Sequence, residues 1–226
     1  FRLRDDSNGV EINHEDISSS VEASVDALDR LYEATKVVFA ELKSNINFYI
    51  QKIKMDKIIE LLTENKNIIL YGAPGTGKTY MAKEIVKKMK AGDGFVQFHP
   101  SYDYTDFVEG LRPIKKDGNN EIGFERKDGV FKAFCEKALK AYNAVEDKEN
   151  APKFVFVIDE INRGDMSKIF GELFFSIDPG YRGPEGKIRT QYANINDEPN
   201  EFDKALGITD AKSYGHFFVP ENVYVI

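Results

Sequence analysis

The sequence predicts an α/β fold with a largely parallel central sheet, and three observations lead there. Short, mostly apolar runs at 68–72 (IILYG), 95–98 (FVQF), 153–158 (KFVFVI) and 222–226 (NVYVI) have the length and character of covered strands. The segments between them place apolar residues at helical spacing, the alternation that builds parallel sheets. A glycine-rich turn, GAPGTGKT (72–79), joins the first run to the first of these helices.

Residues 1–16 are polar and turn-rich. From Val21 to Leu42 apolar positions recur at helical spacing, KSNIN (43–47) interrupts, and a second helical pattern carries Ile50, Ile53, Ile59 and Leu62. Residues 1–50 read as a linker or the tail of another domain, ending in a helix, with a coiled-coil seam as the alternative. Residues 51–226 read as the main domain. Within it KTYMAKEIVKKM (78–89) is a helix. SYDYTDFVEGLRP (101–113) is a loop with a helical turn. PIKKDGNNEIGFERKDG (113–129) is a hairpin around DGNN, and VFKAFCEKALKAY (130–142) is a helix. MSKIFGELFFSI (166–177) reads as one helix, KIRTQY (187–192) as a hairpin strand, and 193–213 as a polar insertion.

The 226 residues carry a net charge of −7, with 42% hydrophobic and 31% charged positions. A chain of this size buries enough surface to fold without staples. The negative balance argues against a nucleic-acid footprint over the whole chain. The single cysteine, Cys135, excludes an internal disulfide and is expected to be a buried structural thiol. No apolar run approaches the ~20 residues that span a bilayer. No secretory signal is evident, although the chain begins at Phe1 rather than Met, and a cytoplasmic location is expected.

GAPGTGKT matches G-x-x-x-x-G-K-[ST] and sits between a predicted strand and a predicted helix, the setting this phosphate-binding loop requires. Glycines let successive N–H groups turn inward, and the helix N-terminus adds partial positive charge. Gly72, Ala73, Pro74, Gly75, Thr76, Gly77, Lys78, Thr79 and Tyr80 are therefore the candidate nucleotide-binding residues. Lys78 would reach the β- and γ-phosphates and the Thr79 hydroxyl would ligate Mg²⁺. A site of this kind needs a metal carboxylate at the tip of a neighbouring strand. The run 153–158 ends in Asp159 and Glu160. Asp159 would hold Mg²⁺ through water, and Glu160 would act as general base on the attacking water.

DEINR (159–163) followed by SKIFGEL, VQFHPSYDYTDFVEGLRP (96–113), GVFKAFCEKAL (129–139), GKIRTQY and FVPENVYVI together resemble the McrB family, the AAA+ motor subunits of modification-dependent restriction systems. The resemblance covers about residues 55–226. It implies an AAA+ core of strand order 5-1-4-3-2, flanked by helices with hairpin insertions. It also implies a homo-oligomeric ring, usually a hexamer, with nucleotide between neighbours. In that family GTP is hydrolysed, DNA is recognised by a separate domain and a McrC nuclease subunit is driven. Close relatives are ATPases, and the guanine-reading N-K-x-D is absent (NKNI at 65–68), so GTP and ATP both stay open. The family's sensor asparagine, fifth strand and arginine-finger region would lie beyond Ile226. Nothing in the chain resembles a nuclease. A nucleotide-gated assembly module and an AAA+ protein remodeller unrelated to DNA are the alternatives to a restriction motor.

Other residues carry weaker signals. Arg163 could reach a neighbouring subunit or form a local ion pair. His99 and Tyr102 follow the second strand and are expected to pack within their loop. Arg182 and Lys187 read as a solvated turn. His14 and His216 lack companions at metal spacing. KEIVKKMK (83–90) reads as a solvated helix face.

Overall fold

The computed structural model describes residues 14–115 and 122–226, with side chains from residue 22 except at 47–52. The chain divides into two compact units, Phe1–Asp56 and Lys57–Ile226.

In the first unit, helix α1 (His14–Asn65) begins and runs on without a break. The interruption expected at KSNIN does not occur. That stretch contains neither Gly nor Pro, and Ser or Asn inside a helix costs only ~0.5 kcal/mol each relative to Ala. Every residue from 22 to 46 is exposed.

The second unit follows the alternating pattern. After α1 come α2 (Lys78–Met89), β1 (Gly92–Gln97), α3 (Tyr104–Phe107), β2 (Glu109–Lys115), β3 (Ile122–Asp128), α4 (Val130–Asn143) and β4 (Phe154–Asp159). Then follow α5 (Met166–Phe170), α6 (Leu173–Ile177), β5 (Ile188–Arg189), α7 (Glu201–Ala205), β6 (His216–Phe217) and β7 (Val223–Val225). The main sheet is parallel, in the order β1-β4-β7. An isolated parallel bridge, Asn67 to Val225, sets the run before the glycine-rich turn beside β7. The four predicted runs thus lie in the order 1-4-3-2, as an AAA+ core requires.

The run 68–72 is not a full strand. Ile68 N–H donates to Val225 O at 3.0 Å, and the run carries no further ladder pairing among the described residues. Ile69 and Tyr71 are 75% and 94% exposed. Strand β1, by contrast, extends back to Gly92 beyond the predicted start at Phe95. Glycine is a poor strand former, yet a Cβ on Gly94 would come within 2.5–2.9 Å of the Phe156 and Phe134 rings. The rings take the space that a side chain would occupy.

Those rings form the core. In α4 the buried Phe131, Phe134, Cys135, Ala138 and Leu139 share one face, the spacing of an amphipathic helix. Phe131 stacks on Phe107 at 4.8 Å and meets Phe156 of β4 edge-on at 5.0 Å. Asp103 caps α3 by accepting from the N–H groups of Thr105 and Asp106.

The expected hairpin forms from β2 and β3 in antiparallel register. The DGNN turn lies outside the described residues. At the hairpin's root Glu109 and Lys132, both fully buried, are ion-paired. Arg126 also reaches Glu109 (2.9 Å) and Asp128 (2.6 Å), and Asp128 meets Lys132 at 3.1 Å. The Tyr192 N–H donates to the other Glu109 oxygen at 3.2 Å.

Two more expectations are corrected. MSKIFGELFFSI is two short helices, α5 and α6, because Gly171 adopts φ +51° and Glu172 accepts from the Tyr104 hydroxyl at 2.6 Å. KIRTQY gives only the two-residue β5. Its partner is β6, on the far side of the 193–213 insertion, rather than an adjacent hairpin arm. The insertion is itself folded. Asn200 and Asp203 form a capping box on α7. The fully buried Asp203 carboxylate accepts from the N–H groups of Gly215 and His216.

Glu109→Ala leaves Lys132 and Arg126 without their shared carboxylate, so it should destabilise the domain by ~3–5 kcal/mol. Urea unfolding checks this. Glu136→Ala, which removes the exposed pair with Lys140, should cost less than ~1 kcal/mol.

Candidate functional site

The loop and the acid pair meet at the carboxyl edge of the sheet. Asp159 closes β4 opposite Gln97 of β1. In the loop, Gly75 and Gly77 take φ +78° and +80°. Left-handed backbone there would cost any other residue roughly 1 kcal/mol. Gly77 is the N-cap of α2. It supplies no side-chain cap, and no acidic residue occupies the first turn. The first N–H groups of this 12-residue helix are left to an outside acceptor.

The polar contacts are local. Thr76 Oγ1 donates to Ala73 O at 2.9 Å. Lys78 Nζ donates to the Gly72 and Ala73 carbonyls, both at 3.0 Å. Thr79 Oγ1 donates to Asp159 Oδ2 at 3.3 Å, which joins the loop to the strand tip. The other Asp159 oxygen accepts from the Glu160 N–H at 3.1 Å. Glu160 sits at φ +53°, an uncommon conformation for a non-glycine residue, and begins the turn Ile161–Arg163. The Arg163 Nε–H donates to Glu160 Oε2 at 2.9 Å in an exposed pair.

A cavity of about 540 Å³ opens beside the loop, within the usual range for small-molecule sites. Gly72, Pro74, Lys78, Thr79, Asp159 and Glu160 line its polar end. Leu70, Val157, Phe170, Phe174 and Val225 are among the apolar residues of its body. Ala73, Gly75, Thr76 and Gly77 are exposed in the loop, and Tyr80 is 70% exposed on the outer side of α2. The oxygens of Thr79 and Asp159 suit a hard divalent cation such as Mg²⁺, which keeps several waters and needs few protein ligands. Among the described residues no three His, Cys, Asp or Glu side chains gather as a metal cluster. The rest of such an ion's shell would come from phosphate oxygens and water.

The weaker signals resolve in several ways. Tyr102 stacks on Phe98 at 5.0 Å, and His99 meets Tyr102 edge-on at 5.4 Å, so both pack within the loop. Burial, with Asp106 and Asp103 nearby, pushes the Tyr102 hydroxyl up to about 12. Cys135 is fully buried and its thiol is pushed up by desolvation. Lys83, Lys87, Lys88 and Lys90 are exposed, as a solvated face requires. His216 Nδ1 lies 3.1 Å from Asp203 Oδ1. The His14 side chain lies outside those described. Arg182 corrects the reading of a solvated turn: it is 6% exposed, Nη2 donates to Asn67 Oδ1, and burial pushes its guanidinium down to about 10. No motif marked it. The left-handed Glu160 and the apolar cavity body, partly from the split α5–α6 segment, also carry no local sequence signal.

Comparison with known proteins agrees with this architecture. Residues 67–201, more than half of the chain, match the AAA domain of the dynein-related subfamily. The chain is 36% identical over 185 residues to the Type IV methyl-directed restriction enzyme EcoKMcrB subunit of Escherichia coli K12. That alignment covers 80% of this chain and 34% of the relative. It is 29% identical over 154 residues to the Type II restriction enzyme BsuMI component YdiS of Bacillus subtilis 168, covering 59% of this chain and 43% of that one. A shorter match, 41% over 64 residues, is to the outer mitochondrial transmembrane helix translocase of Danio rerio, covering 28% and 17%. The chain therefore spans about a third of the Escherichia coli subunit's length. No helix among the described residues is long and apolar enough to cross a membrane. With a glycine-rich loop opening a helix, an acid pair at the end of a nearby parallel strand and these relatives, the chain belongs to the AAA domain family, dynein-related subfamily, and is a McrB-like AAA+ nucleotide-binding protein.

Proposed function

We propose that this domain is a Mg²⁺-dependent nucleoside triphosphatase, the motor of a modification-dependent DNA restriction complex in the cytoplasm. The observation that carries the enzymatic part is the 3.3 Å contact between Thr79 Oγ1 and Asp159 Oδ2. It sets a metal-type hydroxyl and carboxylate at the mouth of a loop whose amides await an anion. The backbone N–H groups of Gly75, Gly77, Lys78 and Thr79 bind the phosphates, and Lys78 exchanges its two carbonyl partners for phosphate oxygens. Thr79 and Asp159 would hold Mg²⁺. The ion, once bound, neutralises charge developing between the β- and γ-phosphates. Glu160 orients and deprotonates the attacking water. The restriction role rests on the similarity to the two restriction components. In it the domain works in a homo-oligomeric ring, most simply a hexamer, with a McrC-like nuclease subunit and with DNA held by other domains. A ring neighbour would donate an arginine to the transferred phosphoryl group, an effect worth ~10³–10⁵ in rate.

A second reading, a nucleotide-gated assembly module, is favoured by one observation. One Glu160 oxygen, Oε2, is already engaged by the Arg163 Nε–H at 2.9 Å. In that reading the nucleotide organises subunits, and hydrolysis is incidental.

Titration with GTP or ATP in the presence of Mg²⁺ tests the site and decides the base. Lys78→Ala removes charge-assisted hydrogen bonds to phosphate and should weaken binding roughly 10–100-fold. Undiminished affinity in that variant would overturn the assignment.

Glu160→Gln should retain nucleotide affinity and lose ~10²–10⁴ of the turnover rate. In the complete complex it should abolish DNA cleavage under the motor reading. Cleavage persisting with hydrolysis lost would establish the gating reading instead.

A further inference from the structure

A second cavity, of about 260 Å³, lies at the other edge of the main sheet. Lys66, Lys153 and Asn222 line it, and each stands just before a parallel segment: the bridge at Asn67, β4 and β7. Asp159 closes β4 at its opposite end, roughly 20 Å from Lys153 at ~3.3 Å per residue. The cavity is therefore separate from the nucleotide loop. The ammonium groups of Lys66, Lys148 and Lys153 line it against the carboxylates of Glu149 and Glu221. Lys148 Nζ donates to the Tyr142 and Val145 carbonyls, at 2.8 and 2.7 Å, and so covers the negative end of α4. Glu221 Oε2 accepts from the Tyr142 hydroxyl at 3.0 Å. Lys66 Nζ donates to the Glu221 carbonyl at 2.9 Å and lies 4.7 Å from the centre of the Tyr224 ring. Lys153 Nζ has no hydrogen bond or ion pair among the described residues.

Two buried groups here also lack partners among the described residues. Asn222 is 5% exposed; its Nδ2 donates to the Ala138 and Pro152 carbonyls at 3.0 and 2.8 Å, while its Oδ1 accepts from nothing. The buried Arg182 leaves Nε and Nη1 unpartnered, and its charge acts on Lys66 and Tyr224 in the cavity wall. Burial, then Arg182 and Lys153, hold the Lys66 ammonium below its ordinary range, against a smaller opposing effect of Glu221.

We infer that this cavity binds a free inorganic oxyanion, phosphate, independently of the nucleotide loop. Buried cations short of carboxylates are costly, and an anion beside Lys66 and Lys153 supplies the counter-charge that they and Arg182 lack. The volume is below the ~300–1,000 Å³ of sites for drug-sized molecules. It suits a small ion with a few waters, each taking ~30 Å³. The free Asn222 oxygen can only accept, so the ligand must also donate. Phosphate near neutral pH meets both demands, with oxygens for the ammonium groups and an O–H for Asn222. Sulfate and ionised carboxylates only accept, and would leave Asn222 Oδ1 buried and unsatisfied.

Amide chemical shifts of the 226-residue chain, titrated with inorganic phosphate and separately with sulfate, test the assignment. The nucleotide loop reports through its own amides at 72–79, so the two sites are read apart. Phosphate should shift the amides at 148–153 and 221–224 saturably, and bind there roughly 10-fold tighter than sulfate. Lys153→Gln, which breaks no side-chain bond among the described residues, should weaken phosphate roughly 10-fold at those amides and leave the loop response unchanged. Lys87→Gln, at an exposed position on α2, should change neither response. Shifts confined to the loop would overturn the inference. So would an unchanged affinity in Lys153→Gln, an equal loss in Lys87→Gln, or equal affinities for phosphate and sulfate. No residue of the loop is involved, so this result stands apart from the Lys78→Ala titration with nucleotide.

Discussion

The contact between Thr79 and Asp159 depends on the parallel register of β4. Strand β4 is bonded to β1 on one side and β7 on the other, and β7 in turn holds the segment that leads into the loop. In a parallel sheet all of these chains run the same way. The end of β4 and the turn into α2 therefore emerge at one edge. Shifting β4 by one residue would turn Asp159 to the other face. The aromatic core resists that shift, because Phe154 and Phe156 are locked against Phe134, and Gly92 and Gly94 leave room only for those rings.

What the sequence made legible follows from which features are local. The glycine-rich loop, the acid pair at a strand end, α2, α4 and the parallel sheet could all be read, because each is written in consecutive residues with a period or a motif. The misreadings are non-local. IILYG has the composition of a strand, but a strand also needs ladder pairing, and among the described residues the run is held by the Ile68 bond to Val225. The break between α5 and α6 depends on Tyr104, far away in sequence, drawing in Glu172. The polar insertion looked like solvent-facing loop, yet its Asp203 is a buried hub for main-chain N–H groups. Arg182 shows the same limit: a turn rich in Gly and Pro gave no sign that its arginine would lie over Asn67.

Charge balance at the site gives the reason a ligand would bind at all. Each charged group there already has a local partner. Lys78 is held by two carbonyls, Asp159 by Thr79 and the Glu160 amide, and Glu160 by Arg163. A triphosphate with its cation would exchange most of these bonds rather than add to them, and the gain would be confined to exchanges such as that of Lys78, which trades neutral carbonyls for charged phosphate oxygens. The uncompensated groups are the first amides of α2, which have neither a side-chain cap nor an acidic neighbour. They are fixed by the left-handed Gly75 and Gly77, so no ordering cost falls on them when an anion arrives. The net affinity of the loop would thus rest on these fixed amides together with the charge-assisted bonds of Lys78. The acids would decide instead which anion fits and what can happen to it.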